Sequence, residues 1–138
     1  MAGHLLLMAQ SGQYNFMRCC SRGETEAAVL AAHEFVNSAI RVLFYLNQSF
    51  APYYKWQFAA LRRLGETTAA ETLSAVLTKA DLSLRLAAME SICSDVAQRL
   101  RQKGLSSVAT DDLERHAYAV NDTIKDNHIR SLHILAAV

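Results

Sequence analysis

Proline is all but missing from this chain: Pro52 is the single one in 138 residues, and only five glycines accompany it. Against 22 alanines and 18 leucines, so few breakers and so many strong helix formers predict an all-α fold. Cysteine is scarce as well. Cys19, Cys20 and Cys93 are odd in number and include an adjacent pair, which excludes a disulfide framework and a four-ligand zinc site and fits reduced thiols in a cytoplasm. A surplus of positive charge is absent too: 14 Lys and Arg face 13 Asp and Glu, net +1. This removes the main argument for binding nucleic acid or an anionic membrane. Long apolar runs are also lacking at the start. Leu5 to Met8 falls far short of the ~20 residues of a membrane span and has no basic leader, so neither an anchor nor an export signal is expected.

What remains is a soluble module of one domain's length, 51% hydrophobic and 20% charged, with a mean hydropathy of +0.06; a second full domain does not fit. Apolar spacing predicts a first helix over 4–21, carried by Leu5, Met8, Ala9, Gly12, Phe16 and Cys20 and stopped at Arg22-Gly23. A longer spine follows over 24–48, with Val29, Ala32, Val36, Ala39, Leu43 and Leu46 as its stripe. Pro52 is expected in the first turn of a third helix that ends at Gly65. Thr68 with Glu71 reads as a capping box for a short connector helix through Thr78. From Asp81 to Gly104, Leu82, Leu86, Met89, Cys93, Val96 and Leu100 alternate steps of four and three, the seam of a bundled helix. Thr110 and Asp111 can cap a last helix carrying Leu113, Ala117, Val120 and Ile124, with Ile129, Leu132 and Leu135 beyond a break near Asn127. Short loops between such stripes predict an up-and-down bundle of four to five antiparallel helices, a single domain over 1–138.

Chemistry-bearing patterns are few. His33-Glu34 lacks the second histidine of a zinc-protease helix, because Asn37 stands in its place, and the other histidines show no i, i+4 pairing, so no metal is expected. No serine elbow, Cys/His motif or paired carboxylates occur, and neither Arg115-His116 nor Arg130 to His133 has the spacing of an HEPN-type ribonuclease motif. No catalytic residue is expected. His33, Asn37 and Arg41, spaced by four, lie along one edge of the spine; they either line a pocket or sit at the core's edge with Arg41 paired to Glu34, Glu90 or another acid. Tyr53-Tyr54-Lys55-Trp56 offers stacking faces and a cation for a base, a sugar or a phosphate, or else plugs the end of the bundle.

The segments Met8-Ala9-Gln10-Ser11-Gly12-Gln13-Tyr14-Asn15, His33-Glu34-Phe35-Val36-Asn37, Leu46-Asn47 and Ala51-Pro52-Tyr53-Tyr54-Lys55-Trp56, together with Glu90-Ser91-Ile92-Cys93, His116-Ala117, Asp126 and Ile129-Arg130, resemble the C-terminal helical region of bacterial nucleotidyltransferase-like proteins, which carries a domain-of-unknown-function label. The resemblance implies a bundle similar to the C-terminal domain of kanamycin nucleotidyltransferase and to HEPN domains. Such a domain forms the acceptor-substrate side of a cleft whose catalytic half holds Mg²⁺ and a nucleoside triphosphate through a Gly-Ser turn and an Asp-x-Asp pair. Ser11-Gly12 is reversed and Asp111-Asp112 lacks the intervening residue, so these 138 residues are not expected to be an enzyme alone or to hold those cofactors. The implied role is an accessory domain serving a nucleotidyltransferase in cis or in trans. Asn37, Arg41, Tyr54, Lys55 and Trp56 would line the cleft for a small-molecule acceptor: Arg41 and Lys55 on a phosphate or carboxylate, Tyr54 and Trp56 on a ring, Asn37 for orientation. The alternatives are a free-standing module that homodimerises or docks a separate nucleotidyltransferase, and an independent small-molecule binder.

Overall fold

A computed structural model describes residues 1–136 and Val138. Among the described residues there is no strand, and seven helices carry the fold. Helix α1 covers 2–21 in three parts: α-helical Ala2–Met8, π-helical Ala9–Phe16 and α-helical Met17–Ser21. The spine is α2, Thr25–Leu46. A 3₁₀ turn, Tyr54–Trp56, runs into α3, Gln57–Arg63. Then come α4, Thr67–Thr78; α5, Leu82–Gln102; α6, Leu113–Asp122; and α7, Asn127–Ser131. Helix α1 packs on α2 and α6, α4 packs on α5, and α2 also meets α4 and α5, so the spine lies at the centre.

One contiguous core results, with Leu5, Met8, Phe16, Phe35, Leu43, Leu73, Val96 and Leu100 fully buried in it. Each such Leu or Phe contributes ~1.5–3 kcal/mol through removal of apolar surface from water. Most of the expected stripes face this core. Val29 is the exception on α2, at 54% exposed, because Ala28, Ala32 and Phe35 set the buried face one step away. α2 is also the one described helix whose length and mean hydropathy of 1.3 would suit a membrane span, and 56% of that window is buried against its neighbours.

Helix ends follow local chemistry, with three departures from the expected boundaries. Gly104 ends α5 as predicted, at φ +66°, where the Leu105 N–H closes on the Leu100 carbonyl at 2.9 Å. Asp81 caps α5 as expected, its carboxylate accepting from the Ser83 and Leu84 amides. Pro52, however, precedes the third helix instead of sitting in its first turn, and its carbonyl accepts from Gln57 Nε2 at 3.3 Å. The Thr68–Glu71 capping box does not form. The N-cap of helix α4 falls two residues earlier, at Glu66, whose carboxylate is engaged by Asn47 and Arg99. Nor is α4 a connector: Ala69, Ala70, Leu73 and Val76 bury a full face against α5. Asp112, not Thr110 or Asp111, caps α6, accepting from the Glu114 and Arg115 amides.

The π-helical stretch has a local cause. Ser11 Oγ donates back to the Leu7 carbonyl at 2.5 Å, a side-chain bond that competes with the regular backbone ladder. Gly12, without a side chain, lies so close to Phe35 that an added Cβ would meet the ring at 2.2 Å. Just after it, Gln13 clamps the start of α6: its Nε2 donates to the Asp111 carbonyl at 2.8 Å and its Oε1 accepts from the Leu113 amide at 3.0 Å. His116 ties the preceding loop to the core. It is fully buried; because the Thr110 carbonyl can only accept, Nε2 donates to it, and Nδ1 meets Ser106 Oγ, each at 2.8 Å.

Candidate functional site

Helix α2 presents its polar row, His33, Asn37 and Arg41, between two hollows, and Asn37 lines both. The first hollow, about 510 Å³, is walled by His33, Val36, Ile40, Tyr54, Gln57 and Phe58. It is apolar for most of its wall, with polar groups at its rim, a lining that suits a small organic molecule. Gln57 is buried there and held by Pro52, so the turn before α3 fixes the mouth.

The second hollow, about 470 Å³, contains His4, Glu34, Arg41 and Tyr45 beside Leu7. Its polar groups are organised by Ser38, fully buried, whose hydroxyl donates to Glu34 Oε1 at 3.0 Å. Since that is the only proton of Ser38, its 3.4 Å contact with His4 makes His4 Nδ1 the donor. Burial, and then the neighbouring Arg41 charge, push the His4 imidazolium down to about 4, so the ring is neutral near pH 7. Arg41 is not paired with Glu34 or Glu90. Ion pairs among the described residues belong to Arg99, Arg101 and Arg115, and Arg41 Nε is buried with no hydrogen-bond partner.

Of the five residues expected to line one cleft, Asn37 and Tyr54 share the first hollow and Arg41 joins Asn37 in the second. Lys55 and Trp56 line neither. They form an outward cluster in which Lys55 Nζ sits 4.8 Å from the centre of the Trp56 ring and Tyr53 stands 4.5 Å from Tyr54, centre to centre. Tyr53, Tyr54 and Trp56 are all more than half exposed, so the cluster does not plug the core. The sequence reading missed His4, Glu34 and Tyr45 on the one side and Gln57 and Phe58 on the other. Glu34 at i−3 of Asn37 carried a signal; His4 and Tyr45 meet Arg41 only through the packing of α1 on α2.

Residues 1–57 match a family described as a domain of unknown function (DUF4037). That stretch contains α1, α2 and the turn through Gln57, and with them Asn37, Arg41, Tyr54, Lys55 and Trp56. Comparison with curated proteins and with solved structures gives no match.

Proposed function

We propose that residues 1–138 form a substrate-side helical domain without catalysis of its own, which holds a small-molecule acceptor against α2 for a nucleotidyltransferase domain carried in cis or in trans. The partner brings Mg²⁺ and the nucleoside triphosphate. The observation that carries this reading is Asn37 placed on the wall between two hollows, one mostly apolar and one holding an unpaired Arg41. A ring against Tyr54 and an anionic group at Arg41 are what this wall would recognise, with Asn37 orienting the molecule and Lys55 and Trp56 on the approach. An up-and-down arrangement of the longer helices, of the kind the resemblance implies, is part of this proposal, as is a cytoplasmic setting.

A second reading rests on exposed apolar groups in the N-terminal half: Leu30 at 71% exposed, and Phe50 at 86% exposed six residues before Trp56. It makes the chain a free-standing module that homodimerises or docks a separate nucleotidyltransferase. Co-purification of the native chain from its source cell, followed by mass spectrometry and light scattering, separates the two. A nucleotidyltransferase sequence on the same polypeptide or in a stoichiometric complex supports the first reading, and a closed homodimer with no such partner supports the second.

A further inference from the structure

Among the described residues, Arg41 Nε is the one buried side-chain polar atom left without a partner. Arg41 lines the second hollow, its Nε is buried without a hydrogen-bond partner, and no ion pair among the described residues includes it. A buried charged donor without a partner is costly, and a planar two-oxygen anion removes that cost best because the guanidinium fork takes it bidentately.

Glu34 limits which anion fits. It lies seven residues before Arg41 on the same helix, ~10 Å along the axis, and lines the same hollow with Oε1 committed to Ser38. His4, neutral in this setting, adds no positive charge of its own. A dianion such as inorganic phosphate would gain Arg41 but meet the Glu34 carboxylate, whereas a molecule negative at one end and positive at the other answers both charges. Leu7 and the Tyr45 ring supply apolar wall for what joins the two ends.

We propose that the hollow between α1 and α2 binds a small zwitterion, with a carboxylate on Arg41, an amine directed to Glu34 and a short aliphatic spacer along Leu7 and Tyr45. The proposal rests on the reading of α2 as a ligand-bearing helix and names the ligand class for its Arg41 side.

The test is an NMR titration of the isotope-labelled full chain with aminohexanoate, using hexanoate, hexylamine and inorganic phosphate as comparison probes. The expected result is saturable shifts of the Arg41 side-chain N–H and of amides over 34–41, with aminohexanoate binding about tenfold or more tightly than either single-ended probe. Arg41→Gln should abolish binding, Arg41→Lys should weaken it through loss of the fork, and Glu34→Gln should reduce aminohexanoate to the affinity of hexanoate. No saturable shift, equal affinity for hexanoate, stronger binding of phosphate, or binding that survives Arg41→Gln overturns the proposal. Shifts confined to His33, Tyr54 and Gln57 would overturn it while leaving α2 a ligand-bearing helix, and the co-purification result does not depend on this titration.

Discussion

Glu66 and Arg99 are joined by two parallel hydrogen bonds, Arg99 Nη1 to Glu66 Oε1 at 2.5 Å and Nη2 to Oε2 at 3.0 Å. The same carboxylate accepts from Asn47 Nδ2 at 2.7 Å, so one acid links the end of α2, the start of α4 and the last turn of α5. The Arg99 hydrogen bonds, opposed by burial and helped by Asn47, hold the Glu66 carboxyl below its ordinary value of 4.5. Its folded value is therefore the lower one, and its contribution to stability is complete above 4.5 and lost as the pH falls through the depressed folded value. Glu66→Gln should lower stability near pH 7 by ~1–2 kcal/mol and flatten the acid limb of the stability curve, measured by urea denaturation across pH. An unchanged acid limb would remove Glu66 from that role.

Gly12 and Phe35 define how closely α1 approaches the spine. A methyl group at Gly12 would overlap the fully buried ring of Phe35. Gly12→Ala is expected to cost ~1–3 kcal/mol through forced displacement, despite the better intrinsic helix propensity of alanine. Phe35→Leu combined with Gly12→Ala should recover part of the loss; a double-mutant cycle measured by thermal unfolding checks this, and strict additivity would contradict the contact.

Cys93 and the pair Cys19 and Cys20 should react very differently. Burial, with Asp111 and Glu90 adding to it, pushes the Cys93 thiol up to about 12, so it stays protonated and shielded in the folded chain. Cys19 and Cys20 are only half-buried at the end of α1. Alkylation of the native protein with iodoacetamide should modify Cys19 and Cys20 first and reach Cys93 at the rate of unfolding, as read by peptide mass spectrometry over time. Equal rates at the three sites would mean that α5 opens locally.

Trp56 is 55% exposed and Tyr54 68% exposed, and both rings stand beside that of Tyr53 in the same turn. Trp56→Ala and Tyr54→Ala should each change stability by no more than ~0.5 kcal/mol, the ordinary range for surface positions. A loss of several times that amount in a denaturation curve would restore the aromatic plug as the function of this turn.

The long helices were legible because their buried faces repeat at a period the side chains set for themselves: Met89, Cys93, Val96 and Leu100 announce α5, and Asp81 and Gly104 bracket it. Glu66 shows where this stops. Thr68 and Glu71 carry the right spacing for a capping box, yet the cap is decided by Asn47 and Arg99, which lie 19 and 33 residues away. The candidate site divides in the same manner. Asn37 and Arg41 share an edge of α2 by helical spacing alone, and their common row was visible. That Tyr54 reaches one side of Asn37 while His4 and Tyr45 close the other depends on how α1 and the 50–56 turn fold back on the spine, which no local spacing encodes. Lys55 and Trp56 were grouped with them by adjacency in the chain, and the 3₁₀ turn points the neighbours in different directions.

The π-helical stretch at 9–16 also bears on how this chain tolerates changes of length. An i→i+5 ladder accommodates one residue beyond what an i→i+4 ladder would use to span the same distance. Deleting a single residue there would return the ladder to i→i+4 with Leu5 and Phe16 still facing the core, whereas the same deletion in α2 would rotate everything downstream by ~100°. The first helix thus holds a spare residue, and insertions or deletions in this molecule are most readily absorbed in that helix, beside the ring of Phe35.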